Sequence, residues 1–84
     1  MDNYENYDNQ IKKRIKQIRH EHSYSQKQVV IRNGWTLDTY KRIERNIENG
    51  GLRITAKHLK NLCKIYGLNS ADFFLFGKPY KKEN

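Results

Sequence analysis

Proline, cysteine and long apolar runs are nearly absent from this chain, and each absence removes a class of protein. The single proline, Pro79, leaves the rest of the chain free to form helices, and no alternation of apolar and polar residues persists long enough to suggest a strand. The single cysteine, Cys63, excludes an internal disulfide framework. It shares no zinc-binding spacing with His20, His22 or His58, so neither a metal site nor a cofactor is expected. The longest apolar runs, Val29 to Ile31 and Phe73 to Phe76, are far too short to span a bilayer. The acidic, tyrosine-rich beginning has neither the basic start nor the apolar stretch of a signal peptide, and the expectation is a soluble, cytoplasmic protein with no membrane partner. No carboxylate pair, glycine-rich phosphate loop or nucleophile beside a base stands out. With only 84 residues there is little room for an enclosed substrate pocket, and the chain is not read as an enzyme.

Acidic residues are also scarce. Seventeen Lys and Arg against nine Asp and Glu give a formal charge of +8, for which a polyanion is the natural partner. Asp2, Glu5 and Asp8 precede a segment on which Lys12, Lys13, Arg14, Lys16 and Arg19 crowd together. A membrane surface would require a large apolar face opposite these cations, and Ile11, Ile15 and Ile18 are no more than a small core consumes.

What remains is helical periodicity with strong punctuation. The length suits one domain, divided into an acidic lead-in over 1–8, a helical domain over 9–77 and a basic tail over 78–84. A first helix is predicted from about Asn9 to His22, with Tyr4 and Tyr7 able to bring its start forward. Ser25 and Gln28 have capping-box spacing, so a second helix begins at Gln26, and Gly34 stops it near Asn33. Thr36 then caps a third helix. On it Tyr40, Ile43 and Ile47 recur at helical spacing and point inward, while Leu37, Asp38, Lys41, Arg42 and Arg45 share the opposite side. The turn signal Asn49-Gly50-Gly51 lies in a long loop before Thr55 caps a fourth helix, whose Leu59, Leu62, Cys63 and Tyr66 share a face. Gly67 ends that helix, and Ser70 opens a short fifth one through Phe73 and Phe74.

Two short helices folded over a glycine, with a basic outward face on the second, have the layout of a DNA-reading helix-turn-helix, here over about 26–46. Arg42 can donate two parallel hydrogen bonds to guanine, Lys41 can donate to the same atoms or to phosphate, and Leu37 offers a surface for a thymine methyl. Asp38 can accept from a cytosine amine, although an acid in the first turn of a helix also stabilises that helix through its dipole. Gln26, Lys27, Arg32 and Arg45 lie where phosphates would pass, contacts that set register rather than read sequence.

The chain resembles the Cro/CI-type (XRE-like) helix-turn-helix regulators of bacteria and phages over roughly residues 11–76. The resemblance rests on Ile15-Lys16-Gln17-Ile18-Arg19, Ser25-Gln26, Gly34, Arg42-Ile43-Glu44-Arg45 and Leu62 to Gly67. It departs from the family pattern at Val30, Asn33 and Asn46, and in a longer loop before helix four. The resemblance implies an all-α, five-helix lambda-repressor-like domain whose third helix enters the major groove. It also implies that Gln26 sits by the phosphate backbone and that Arg19 and Glu44 form an internal ion pair. The expected function is a sequence-specific transcriptional regulator, a dimeric repressor on a palindromic double-stranded operator. The alternatives are the DNA-binding antitoxin of a toxin pair, which would bring a toxin as protein partner, and a controller protein of a restriction-modification system. Phe73, Phe74, Leu75 and Phe76 stand in succession on a helix of less than two turns, which cannot turn all four into its own core, so a homodimer interface is expected there.

Overall fold

In the computed structural model residues 3–74 are described, with side chains from Asn6 onward. Four α-helices carry the fold: α1 (Asn3–Glu21), α2 (Gln26–Asn33), α3 (Leu37–Glu44) and α4 (Ala56–Tyr66). Short 3₁₀ turns occupy Ile47–Asn49 and Ser70–Phe74, and no strand occurs among the described residues. No helix among them is long and apolar enough to cross a membrane.

The first helix is the spine on which the others are mounted. It starts at Asn3 rather than near Asn9, so Asn6, Tyr7 and Asp8 belong to the helix and not to a separate acidic lead-in. Asp8 is buried and accepts from Arg53 Nε at 3.1 Å, and Tyr7 stacks on Phe74 with ring centroids 6.2 Å apart. Ile11, Ile15 and Ile18 fall on one side at helical spacing and enter a core completed by Val29, Tyr40, Ile43, Leu59, Leu62, Tyr66 and Phe73. Each fully buried side chain of this kind contributes about 1.5–3 kcal/mol by leaving water.

Local chemistry sets the ends of α2 and α3. Gln28 N–H donates to Ser25 Oγ at 3.1 Å while Ser25 N–H donates to Gln28 Oε1 at 2.8 Å, the reciprocal box that occupies two free donors of a new helix. Gly34 then turns left-handed at φ 80°, and its N–H closes α2 on the Val30 carbonyl. Three residues later α3 begins, with Thr36 Oγ1 accepting from Thr39 N–H at 3.1 Å.

The third helix ends at Glu44, before the Ile47 expected on its inner face. Arg45 is extended and its N–H closes on the Lys41 carbonyl, so Ile47 lies in a 3₁₀ turn instead of extending the inner face of α3. The chain then folds back onto the helix end, where Leu52 N–H donates to the Arg42 carbonyl at 2.8 Å. That return path runs through Gly51. A Cβ there would sit 1.7 Å from the Arg45 carbonyl oxygen, so only glycine lets the two backbone segments meet.

Thr55 and His58 cap α4 in the same reciprocal way as the pair on α2. Burial, with the Lys12 and Lys57 charges, lowers the His58 pKa, which keeps its Nδ1 free to accept from Thr55 N–H. After Gly67 the chain makes a 3₁₀ turn over Ser70–Phe74, not a fifth α-helix. Five residues held by α1 close too few helical hydrogen bonds to repay α-helix nucleation. Residues 75–84, including the basic tail, lie outside the described residues.

Candidate nucleic-acid interface

One side of α3 is locked to the body of the protein through two buried cations of α1. Lys12 Nζ donates to the Ile43 carbonyl at 2.8 Å, to the Arg42 carbonyl at 3.2 Å and to the Leu52 carbonyl. It thus caps the C-terminal end of α3, where free carbonyls and the helix dipole favour a positive charge. One heptad further along α1, Arg19 grips Glu44 with two parallel hydrogen bonds, Nε to Oε2 at 2.7 Å and Nη2 to Oε1 at 3.1 Å. Its remaining nitrogen, Nη1, donates to the Tyr24 carbonyl at 2.9 Å. Burial works against the guanidinium, but the Glu44 carboxylate outweighs it and the Arg19 pKa stands above its ordinary value.

Glu44 is the hub of this arrangement. Besides Arg19 it accepts from Gln26 Nε2 at 3.1 Å and from the Tyr40 hydroxyl. Burial first, and the Glu44 charge second, push the Tyr40 phenol well above its ordinary range, so it remains a donor at any physiological pH. Trp35 covers this cluster, stacked on Tyr40 at 5.9 Å and edge-on to His58 at 6.0 Å.

The opposite side of α3 faces solvent. Asp38, Lys41, Arg42 and Arg45 are exposed and Leu37 is half-buried. No hydrogen bond or ion pair among the described residues holds the Lys41 ammonium or the Arg45 guanidinium. Arg42 makes one long contact, Nε to the Gly50 carbonyl at 3.4 Å. Lys41, Arg45 and Gln26 line a shallow groove of about 290 Å³ together with Lys16 of α1 and Glu44. Lys27 is exposed on α2. Arg32, also on α2, leans over the Tyr24 ring at 4.3 Å and donates to the Gln28 carbonyl, which directs it away from the α3 groove.

Lys12, Lys13, Arg14, Lys16 and Arg19 form one basic crowd in the sequence, and the structure divides them. Lys12, Arg14 and Arg19 are buried, Arg14 donating to the Asp72 carbonyl at 2.8 Å and to Gln17 at 3.0 Å. The role of Lys12 had no signal in the sequence, because its acceptors are backbone carbonyls about thirty and forty residues away.

The aromatic cluster near the chain's end also divides. Phe73 is 0% exposed and belongs to the core, which corrects its assignment to a dimer interface. Phe74 is 38% exposed. It lines an apolar groove of about 530 Å³ with Leu59, Cys63 and Leu68, while Leu75 and Phe76 lie outside the described residues. Among the described residues no group of three His, Cys, Asp or Glu is placed to hold a metal ion. No family model, curated protein or solved structure matches this chain.

Proposed function

We propose that this protein is a sequence-specific double-stranded DNA-binding transcriptional regulator, a dimeric repressor that lays α3 in the major groove. The observation that carries the reading is the asymmetry of α3. Its inner side is fixed by Lys12 and by the Arg19–Glu44 pair, while Lys41, Arg42 and Arg45 project outward with little or nothing in the protein to neutralise them. Rigid support behind an unneutralised basic face is what base-edge recognition needs. The Cro/CI-type resemblance of the sequence supports the same reading.

Arg42 and Lys41 are the proposed base readers, with Leu37 toward a thymine methyl and Asp38 chiefly an N-terminal charge on α3. Gln26, Lys27 and Arg45 are the proposed phosphate contacts. The Gln26 amide, already pinned to Glu44, couples that contact to the position of α3. Selection of bound sequences from a random DNA pool tests the reading directly, and a palindromic winner is the expected result. On that operator Arg42→Ala costs about 1–3 kcal/mol and relaxes sequence preference, whereas Arg45→Ala weakens operator and random DNA alike. Unchanged operator affinity for Arg42→Ala in a titration at fixed salt removes it from the base readers.

The homodimer reading rests on Phe74 and the two apolar residues that follow it. Phe74→Glu is expected to give a folded protein that sediments as a monomer and binds the operator more weakly, because two half-sites are no longer engaged together. A wild-type chain that stays monomeric at high micromolar concentration, with and without operator, defeats the dimer.

A further inference from the structure

We propose that the phosphate-binding surface extends from α3 across the middle of α1, where Lys13 and Lys16 bind a stretch of phosphodiester backbone separate from the recognition helix. The inference rests on the DNA-binding reading above and names a part of the footprint that the helix-turn-helix does not contain.

Of the five cations that crowd α1, three are consumed inside the protein. Lys12 caps α3, Arg14 holds the Asp72 carbonyl, and Arg19 pairs with Glu44. Only Lys13 and Lys16 are left, and neither ammonium is held by a hydrogen bond or ion pair among the described residues. Standing three residues apart, they share a helix face with a rise of about 4.5 Å between them. Buried cations hold the fold; these two have no such task.

The surface around them carries two neighbouring grooves that share Lys16 and together form a trough. One groove, of about 430 Å³, is lined by Asn6, Asn9, Gln10, Lys13, Lys16 and Asn46. The next, of about 290 Å³, holds Lys16, Gln26, Lys41 and Arg45. Lys16 belongs to both and joins them. Along this path the cations Lys13, Lys16, Lys41 and Arg45 are interspersed with neutral amides, which can also donate to phosphate oxygens. The one acid lining the trough is Glu44, whose carboxylate oxygens already accept from Arg19, Gln26 and Tyr40. At the far end Glu48 is held by Asn9 at 2.8 Å and by Asn46 at 3.4 Å, and its negative charge marks where the path stops. No apolar side chain lines either groove, so neither offers a surface to an apolar segment. A polyanion backbone that runs on to α3 fits the trough.

The test is the salt dependence of operator binding by the full chain, for wild type, for Lys13→Gln/Lys16→Gln and for Lys60→Gln/Lys64→Gln. The last pair removes the same charge from exposed positions on α4, away from the trough. Each phosphate contact contributes about −0.9 to the slope of log K against log salt. The Lys13/Lys16 variant is therefore expected to lose about two contacts' worth of slope per protomer, about four for the bound dimer, and roughly thirtyfold in affinity per protomer at 0.15 M salt. The loss should be equal on operator and random DNA, with thermal unfolding unchanged. The α4 control should keep the wild-type slope. If Lys13→Gln/Lys16→Gln keeps that slope, or loses no more than the control, the α1 path is wrong while DNA binding stands. If wild type binds no duplex in the random-pool selection, the functional reading falls and this inference with it.

Discussion

Glu44→Gln is expected to destabilise the fold by about 3–5 kcal/mol, because it leaves the Arg19 guanidinium buried without its counter-charge. For a domain of this size that corresponds to a fall in Tm of more than about 12 °C. The cost comes from the stranded charge rather than from any large net value of the pair, since two charges taken out of water lose in hydration much of what they gain from each other. Arg19→Met combined with Glu44→Leu is therefore expected to be less damaging than the sum of the two single changes. Recovery should still be partial, as the Tyr40 hydroxyl and the Gln26 amide also donate to Glu44 and each would lose its acceptor. Adding Tyr40→Phe removes one of those two losses. Denaturant unfolding of the four chains gives the coupling energy, and a cycle with no coupling between positions 19 and 44 defeats the account. Because Glu44 also anchors Gln26, operator affinity should fall along with stability.

Features decided by residues a few positions apart were legible in the sequence. Ser25 with Gln28, Gly34, Thr36, Thr55 and Gly67 set the ends of α2, α3 and α4 through hydrogen bonds spanning three or four residues. Helical spacing likewise brought Ile11, Ile15, Ile18, Tyr40, Ile43, Leu59 and Leu62 to the core. Features decided by distant backbone were not legible. A lysine at position 12 and one at position 13 look alike as charges, yet one is enclosed by carbonyls of α3 and the following loop while the other faces solvent. Gly50 and Gly51 read equally as turn residues, but only Gly51 is forced by the Arg45 carbonyl against it. The stop of α3 at Glu44 follows from the same return of the loop, which takes the Arg42 carbonyl for Leu52 N–H. Phe73 and Phe74 are adjacent in sequence and part company because the Ser70–Phe74 turn packs one inward.

Lys12→Met is the second change with a large expected effect, and its size should depend on pH. At neutral pH it removes the donor from the Ile43 and Leu52 carbonyls, while the Arg42 carbonyl keeps Leu52 N–H as a partner. A buried carbonyl deprived of its donor costs about 1–3 kcal/mol, so two of them give a loss of about 2–4 kcal/mol once the relief of a buried charge is set against it. Burial pulls the Lys12 ammonium down to about 8, against the raising effect of Asp8. Between that value and the ordinary 10.5 of a solvated lysine, the unfolded chain still holds a proton that the folded chain has released. Wild-type stability should therefore rise with pH across this window relative to Lys12→Met, by at most about 1.4 kcal/mol per pH unit. The neutral amine keeps two N–H groups for the carbonyls and no longer has to be desolvated as a charge. Tyrosine titration above pH 10 is common to both proteins and cancels in the comparison. Denaturant unfolding of the two chains at pH 7, 8.5 and 9.5 measures the difference, which is expected to widen with pH. Equal stability at pH 7 would show that Lys12 does not clamp the end of α3, and a difference that narrows toward pH 9.5 would show that the fold favours the ammonium over the amine, against the lowered pKa.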